Sequence, residues 1–159
     1  MDELLKILQN NALQSREDIA RMLGVASAEV NERIKDYEQR GVIRGYQAIL
    51  NEDQLDLDKV TAVIEVKVTP QREGGFDVIA NRVSRFPEVR SAYLMSGGYD
   101  LLLFVEGRSL REVASFVSEK LSPLEGILST STHFMLKTYK RFGVLMHQEN
   151  TDERLSITP

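Results

Sequence analysis

The sequence predicts an α+β protein in two parts, a helix-turn-helix head followed by a βαββαβ domain. Three observations point there. Between residues 15 and 40, apolar residues recur at helical spacing on either side of a Gly24-Val25-Ala26 break. From Val60 the apolar period drops to two, as in a strand with one buried face. Beyond residue 76, helix-period and strand-period segments follow in the order α, β, β, α, β.

In the head, residues 1–50, Leu4, Leu5 and Leu8 stripe a first helix that Asn10-Asn11 ends. Ser15 is placed to cap a second helix, and Asp18 three residues later suits a capping box. Ile19, Ala20 and Leu23 form that helix's inner face, and Gly24 ends it. A third helix starts at Ala26 or Ser27, carries Val30, Ile34 and Tyr37 inward, and closes at Gly41. Val42–Ile49 reads as an extended exit, and the acidic stretch 51–59 as a solvated linker.

In the second part, residues 60–140, Ala62, Ile64, Val66 and Val68 alternate with Thr61, Val63, Glu65 and Lys67 in a first strand bounded by Pro70 and Gly74-Gly75. Residues 76–83 have helical spacing. Val89–Met95 and Leu101–Val105 form a hairpin about the Ser96–Asp100 turn. Leu110–Leu121 is a second helix and Ile127–Tyr139 a fourth strand. This order is the split-βαβ, ferredoxin-like arrangement. Its helices cover one face of the sheet. The other face, with Thr61, Val63 and Glu65, is mixed and partly apolar and invites a second copy. In the extension, 141–159, Val144–Met146 and Leu155–Ile157 are candidate edge strands.

Composition narrows the function classes. The chain has no cysteine, which excludes disulfides, thiol catalysis and zinc-thiolate sites. Two histidines, His133 and His147, leave little for a metal centre or a histidine-based triad, so neither metal nor cofactor is expected. No apolar run reaches the ~18 residues of a membrane span, and MDELLKIL lacks the features of a signal peptide, so a cytoplasmic protein is expected. Residues 1–60 hold 8 Lys+Arg against 12 Asp+Glu, a net charge of −4. A head that binds nucleic acid is ordinarily basic. Either this half contacts DNA weakly and gains from multiplied subunits, or it binds none.

Two sets of residues carry candidate chemistry. If Val30, Ile34 and Tyr37 face inward, Ala28, Asn31, Glu32, Lys35 and Gln39 face out, with Ser27 at the head of the same helix. Asn31 has the donor-acceptor pair that reads adenine, Glu32 accepts from cytosine N4, and Lys35 meets guanine or phosphate. Arg16, opening the second helix, is placed for a phosphate. The alternative is a solvated helix face. The second set is the turn Ser96-Gly97-Gly98-Tyr99-Asp100. Glycines there leave backbone N–H groups open to a carboxylate, and Asp100 offers a partner to an α-ammonium. Thr130 and Thr132 share one strand face and add hydroxyls. The alternative is a hairpin turn that needs glycine for its backbone alone.

Taken together these motifs resemble the Lrp/AsnC, or feast/famine, family of transcription regulators. The resemblance rests on Ile19-Ala20…Leu23-Gly24-Val25, Glu32-Arg33-Ile34…Tyr37-Glu38 and Gly41-Val42-Ile43…Gly45-Tyr46 in the head. In the second part it rests on Ser96–Leu102, with its G-x-Y-D turn, and on Thr130-Ser131-Thr132…Lys137…Lys140. It covers roughly residues 4–140. It implies a winged-helix-like head on double-stranded DNA and an effector-sensing, dimerising RAM domain. It further implies an amino-acid effector held between subunits at the turn, and dimers that assemble into octamers. Proteins of similar architecture act as siroheme decarboxylases. The few His and Arg near the turn speak against that alternative, because a multiply carboxylated substrate needs several cations. A ligand-sensing scaffold without DNA binding is the other alternative.

Overall fold

The structure is a computed structural model and describes residues 1–69 and 75–147. The chain divides into two compact units, Met1–Ile49 and the residues from Leu50 onward.

The first unit has three helices, α1 (Glu3–Asn10), α2 (Arg16–Leu23) and α3 (Ser27–Gln39). Both boundaries of α2 have a local cause. The Ser15 hydroxyl oxygen accepts from the Asp18 N–H at 3.0 Å and donates to the Asp18 carboxylate at 2.7 Å, which satisfies an orphan donor of α2. Gly24 ends α2 in the left-handed region, φ 68°. The helices meet over Leu4, Leu8, Ile19, Ala20, Val30 and Ile34, with Ile7, Leu23, Val25, Tyr37 and Ile43 packed around them. Val42–Ile49 closes this unit and pairs with no strand among the described residues.

The second unit is a four-stranded antiparallel sheet in the order β2-β3-β1-β4, with β1 Val60–Val68, β2 Val89–Leu94, β3 Leu101–Gly107 and β4 Ile127–Phe134. Helices α4 (Asp77–Val83) and α5 (Leu110–Ser115) complete the βαββαβ order. Alternation along β1 sends Ala62, Ile64, Val66 and Val68 into a core with Leu101, Leu103, Val105, Ile79, Val83, Val113, Phe116 and Leu121. Burying one such aliphatic side chain contributes about 1.5–3 kcal/mol.

The structure departs from the sequence reading in several places. The helix expected over 110–121 changes at Phe116 to a π-helical turn, Phe116–Leu121, and Leu110 is exposed. The last strand stops at Phe134, opposite Ala62, rather than at Tyr139, and β1, which begins at Val60, has no residue to set opposite 137–139. Val144–Leu145 (β6) does not cap the sheet. It pairs with Lys140–Arg141 (β5) in a small separate hairpin. The stretch expected to be a solvated spacer holds a 3-10 turn, Glu52–Gln54. There Asn51 Nδ2 donates to the Met146 carbonyl at 2.6 Å, and Glu52 accepts from Lys59 and Arg141, both at 2.9 Å. The expected bounds at Pro70 and Gly74, and the candidate strand 155–157, lie outside the described residues.

Candidate functional site

Helix α3 sorts its side chains by period. Val30 and Ile34 are buried. Ala28, Asn31, Glu32, Lys35 and Gln39 are exposed, and Ser27 is half-buried at the first turn. Arg33, on the flank, is held by Asp2 and lies 3.8 Å from Glu29, while Arg40 pairs with Asp36 at 2.8 Å. Lys35 forms no ion pair among the described residues, so its charge is available to a partner. Arg16 is half-buried, and its Nη1 makes no hydrogen bond among the described residues. The Tyr46 hydroxyl donates to Glu38 at 2.9 Å and ties the exit segment to α3.

Asp2, which the sequence reading passed over, organises this face. Its carboxylate accepts from Arg33 Nη2 and from the Tyr37 hydroxyl, and its Oδ1 accepts from the Leu4 N–H at 3.3 Å as the cap of α1. Hydrogen bonds from Tyr37 first, and from Arg33, hold its pKa down to about 2. The only sequence signal was an Asp one residue ahead of a helix.

In the second unit, the Ser96–Asp100 turn links β2 to β3, and Gly97 takes φ 135°, a conformation that glycine adopts without strain. Ser96, Gly97 and Gly98 are exposed, and Tyr99 and Asp100 half-buried. Asp100 already has a protein partner. Its N–H donates to the Val66 carbonyl at 3.0 Å, and its Oδ2 accepts from the Val68 N–H at 2.8 Å. The carboxylate thus serves the backbone where the β1–β4 register shifts between Lys67 and Val68. One oxygen remains for any ligand.

Thr130 and Thr132 are half-buried on β4 opposite Val66 and Ile64. Paired residues of a sheet share a face, so these threonines lie on the helix-covered side. Leu101 and Thr130 flank Val66, about 10 Å apart at two strand spacings. The opposite face carries Val63, Leu102 and Phe104, half-buried, with Tyr93 edge-to-face on Phe104 at 6.1 Å between ring centroids. Glu65 and His133 stand 3.7 Å apart on the same face.

The model of the Lrp/AsnC ligand binding domain matches residues 61–145, and a winged helix-turn-helix DNA-binding model matches residues 3–44. The chain belongs to the Lrp/AsnC family. An uncharacterized HTH-type transcriptional regulator of Bacillus subtilis, YugG, is 45% identical over 158 residues, covering 99% of this chain and 95% of its own. A proline dehydrogenase transcriptional activator of Rhodobacter capsulatus is 33% identical, covering 84% of this chain and 86% of its own. Among solved structures, an AsnC family regulator of Agrobacterium tumefaciens superposes with a TM-score of 0.67 at 29% identity, over 89% of this chain and 94% of its own. A Neisseria meningitidis regulator, NMB0573, solved with L-Met, superposes at 0.68 with 24% identity, over 89% of this chain and 93% of its own.

As an Lrp/AsnC protein the chain is a DNA-binding transcription regulator with a winged helix-turn-helix head and a ferredoxin-like ligand-binding domain. None of these relatives supports the siroheme-decarboxylase alternative. Among the described residues, no helix is long and apolar enough to cross a membrane.

Proposed function

We propose that this Lrp/AsnC chain works in the cytoplasm as a homo-oligomer that binds double-stranded DNA through α3 and responds to an amino acid or similar small metabolite. The observation that carries the DNA part is the outer face of α3, where Asn31, Glu32, Lys35 and Gln39 are exposed and Lys35 is unpaired among the described residues. Ser27 and Ala28 line the start of the same helix, and Arg16 meets a phosphate beside it. The head, residues 1–50, holds 7 Lys+Arg against 8 Asp+Glu and so has no basic excess; each contact is weak, and two to eight linked copies supply the affinity by effective concentration.

The half-buried but uncovered residues Val63, Leu102 and Phe104 support pairing of the sheets of two copies. The effector sits at Ser96–Asp100, its carboxylate on the glycine N–H groups and its ammonium on the remaining oxygen of Asp100. Thr130 and Thr132, with Thr130 two strand spacings from Leu101 across Val66, add their hydroxyls toward the same effector. The L-Met complex of the Neisseria relative supports an amino acid as the class of effector.

The test is DNA binding to the promoter of its own or a neighbouring gene across a salt series, with and without a panel of free amino acids. Affinity falling steeply with salt, and shifting with one amino acid, is expected. Absence of binding at low salt on any genomic fragment overturns the DNA reading. Binding indifferent to every amino acid overturns the effector reading.

A further inference from the structure

A cavity of about 530 Å³ lies in the second unit, within the size range of small-molecule sites. It is bounded by the first residues of β1 and the last of β4, whereas the Ser96–Asp100 turn lies at the other end of the sheet. Along β1 the two ends are about 20 Å apart. None of the residues assigned above to DNA or to the effector lines it.

Its walls divide by chemistry. Leu57, Leu110 and Phe134 are 49%, 56% and 37% exposed, large apolar side chains left open on one cavity. The polar wall carries Lys59, Arg141 and Lys137. Lys59 and Arg141 both donate to a single oxygen, Glu52 Oε1, at 2.9 Å. Those hydrogen bonds, Lys59 first, hold the Glu52 carboxyl below its usual range. The cations therefore already bind one carboxylate oxygen beside an apolar surface. Arg141 uses only Nη1 for this, and its Nε and Nη2 make no hydrogen bond among the described residues. Lys137 has no carboxylate partner among them either. A planar guanidinium with free N–H groups, lining the same cavity as an ammonium whose contact is the Tyr139 ring at 5.1 Å, suits a further carboxylate. Glu52 and Asp53 in the same wall oppose a multiply charged anion.

We propose that this cavity binds a monocarboxylate with an apolar tail. The carboxylate lies on Arg141 and Lys137, and the tail runs along Leu57, Leu110 and Phe134. The site is separate from the turn, and its test involves no DNA, so its failure leaves the regulator reading as it stands.

Isothermal titration of the full chain with hexanoate, against 1-hexanol and hexylamine, decides the matter. Saturable binding of hexanoate, with hexanol and hexylamine weaker by about tenfold or more, is expected from the loss of charge-assisted hydrogen bonds. Lys137→Ala, at an exposed position, weakens hexanoate binding by roughly threefold, and Arg141→Met by about tenfold. Glu52→Gln tightens it, because Arg141 loses its ion-pair partner, while Lys59 stays paired with Glu106 at 2.8 Å. No saturable heat with hexanoate, hexanol binding equally well, or Lys137→Ala and Glu52→Gln both without effect overturns the proposal. Should Arg141→Met fail to fold, the exposed Lys137 variant still gives the answer.

Discussion

Arg33 Nη2 donates to both carboxylate oxygens of Asp2, at 2.8 and 2.7 Å, and joins the start of α1 to the middle of α3 across 31 residues of sequence. The cation nearest the centre of α3 is thus committed inside its own unit. That leaves Lys35 as the α3 cation without an ion pair among the described residues.

Replacing Asp2 by Asn should lower the stability of the head by roughly 1–2 kcal/mol. The pH dependence follows from a carboxyl held at about 2 against an ordinary 3.8. The unfolded chain takes up its proton first as pH falls. The contribution is therefore complete above pH 3.8, shrinks between 3.8 and 2, and is gone below. Thermal melts of both proteins by circular dichroism should differ at neutral pH and converge near pH 2. A constant difference across the range would rule out the carboxylate as its source.

Gly24→Ala isolates the cost of a left-handed residue, because an added Cβ there meets nothing within 4 Å. A loss of about 1–2 kcal/mol in head stability is expected from the backbone alone. Chemical denaturation measures it, and an unchanged midpoint would contradict the φ of 68°.

At Asp100, structural and ligand roles can be separated. Asp100→Ala strips the buried Val68 N–H of its acceptor and should cost about 1–3 kcal/mol in urea unfolding. Asp100→Asn keeps an amide oxygen for that N–H, so most of the stability returns. If the second oxygen holds an ammonium, the Asn variant nonetheless loses amino-acid response. A stable Asn variant with full response would confine Asp100 to the backbone role.

On DNA, Lys35→Ala should weaken binding to all sequences alike and reduce the salt slope by about one. Asn31→Ala should instead relax preference at one base pair, with a loss of about 1–3 kcal/mol against the preferred site only. Gel shifts on matched and mismatched fragments distinguish these patterns. Equal behaviour of both variants on every fragment would place Asn31 outside base recognition.

Periodicity and punctuation alone determined much of this protein. Ser15 with Asp18, Gly24 and Gly41 act within one or two turns of chain, and the alternation from Ala62 to Val68 depends only on the two-residue repeat of a strand. Such signals are local, so the helices, the strands and the outward set on α3 are legible in order. What depended on distant partners was not. Asp2 meets Arg33 and Tyr37, Glu52 meets Arg141, and Asp100 meets Val68 only after folding brings those positions within about 3 Å. The same limit applies to the turn and the two threonines. Their types suggested one site, and sheet order sets the distance between them, with β1 in between. Composition can nominate residues for a site, while the pairing of strands decides which of them meet.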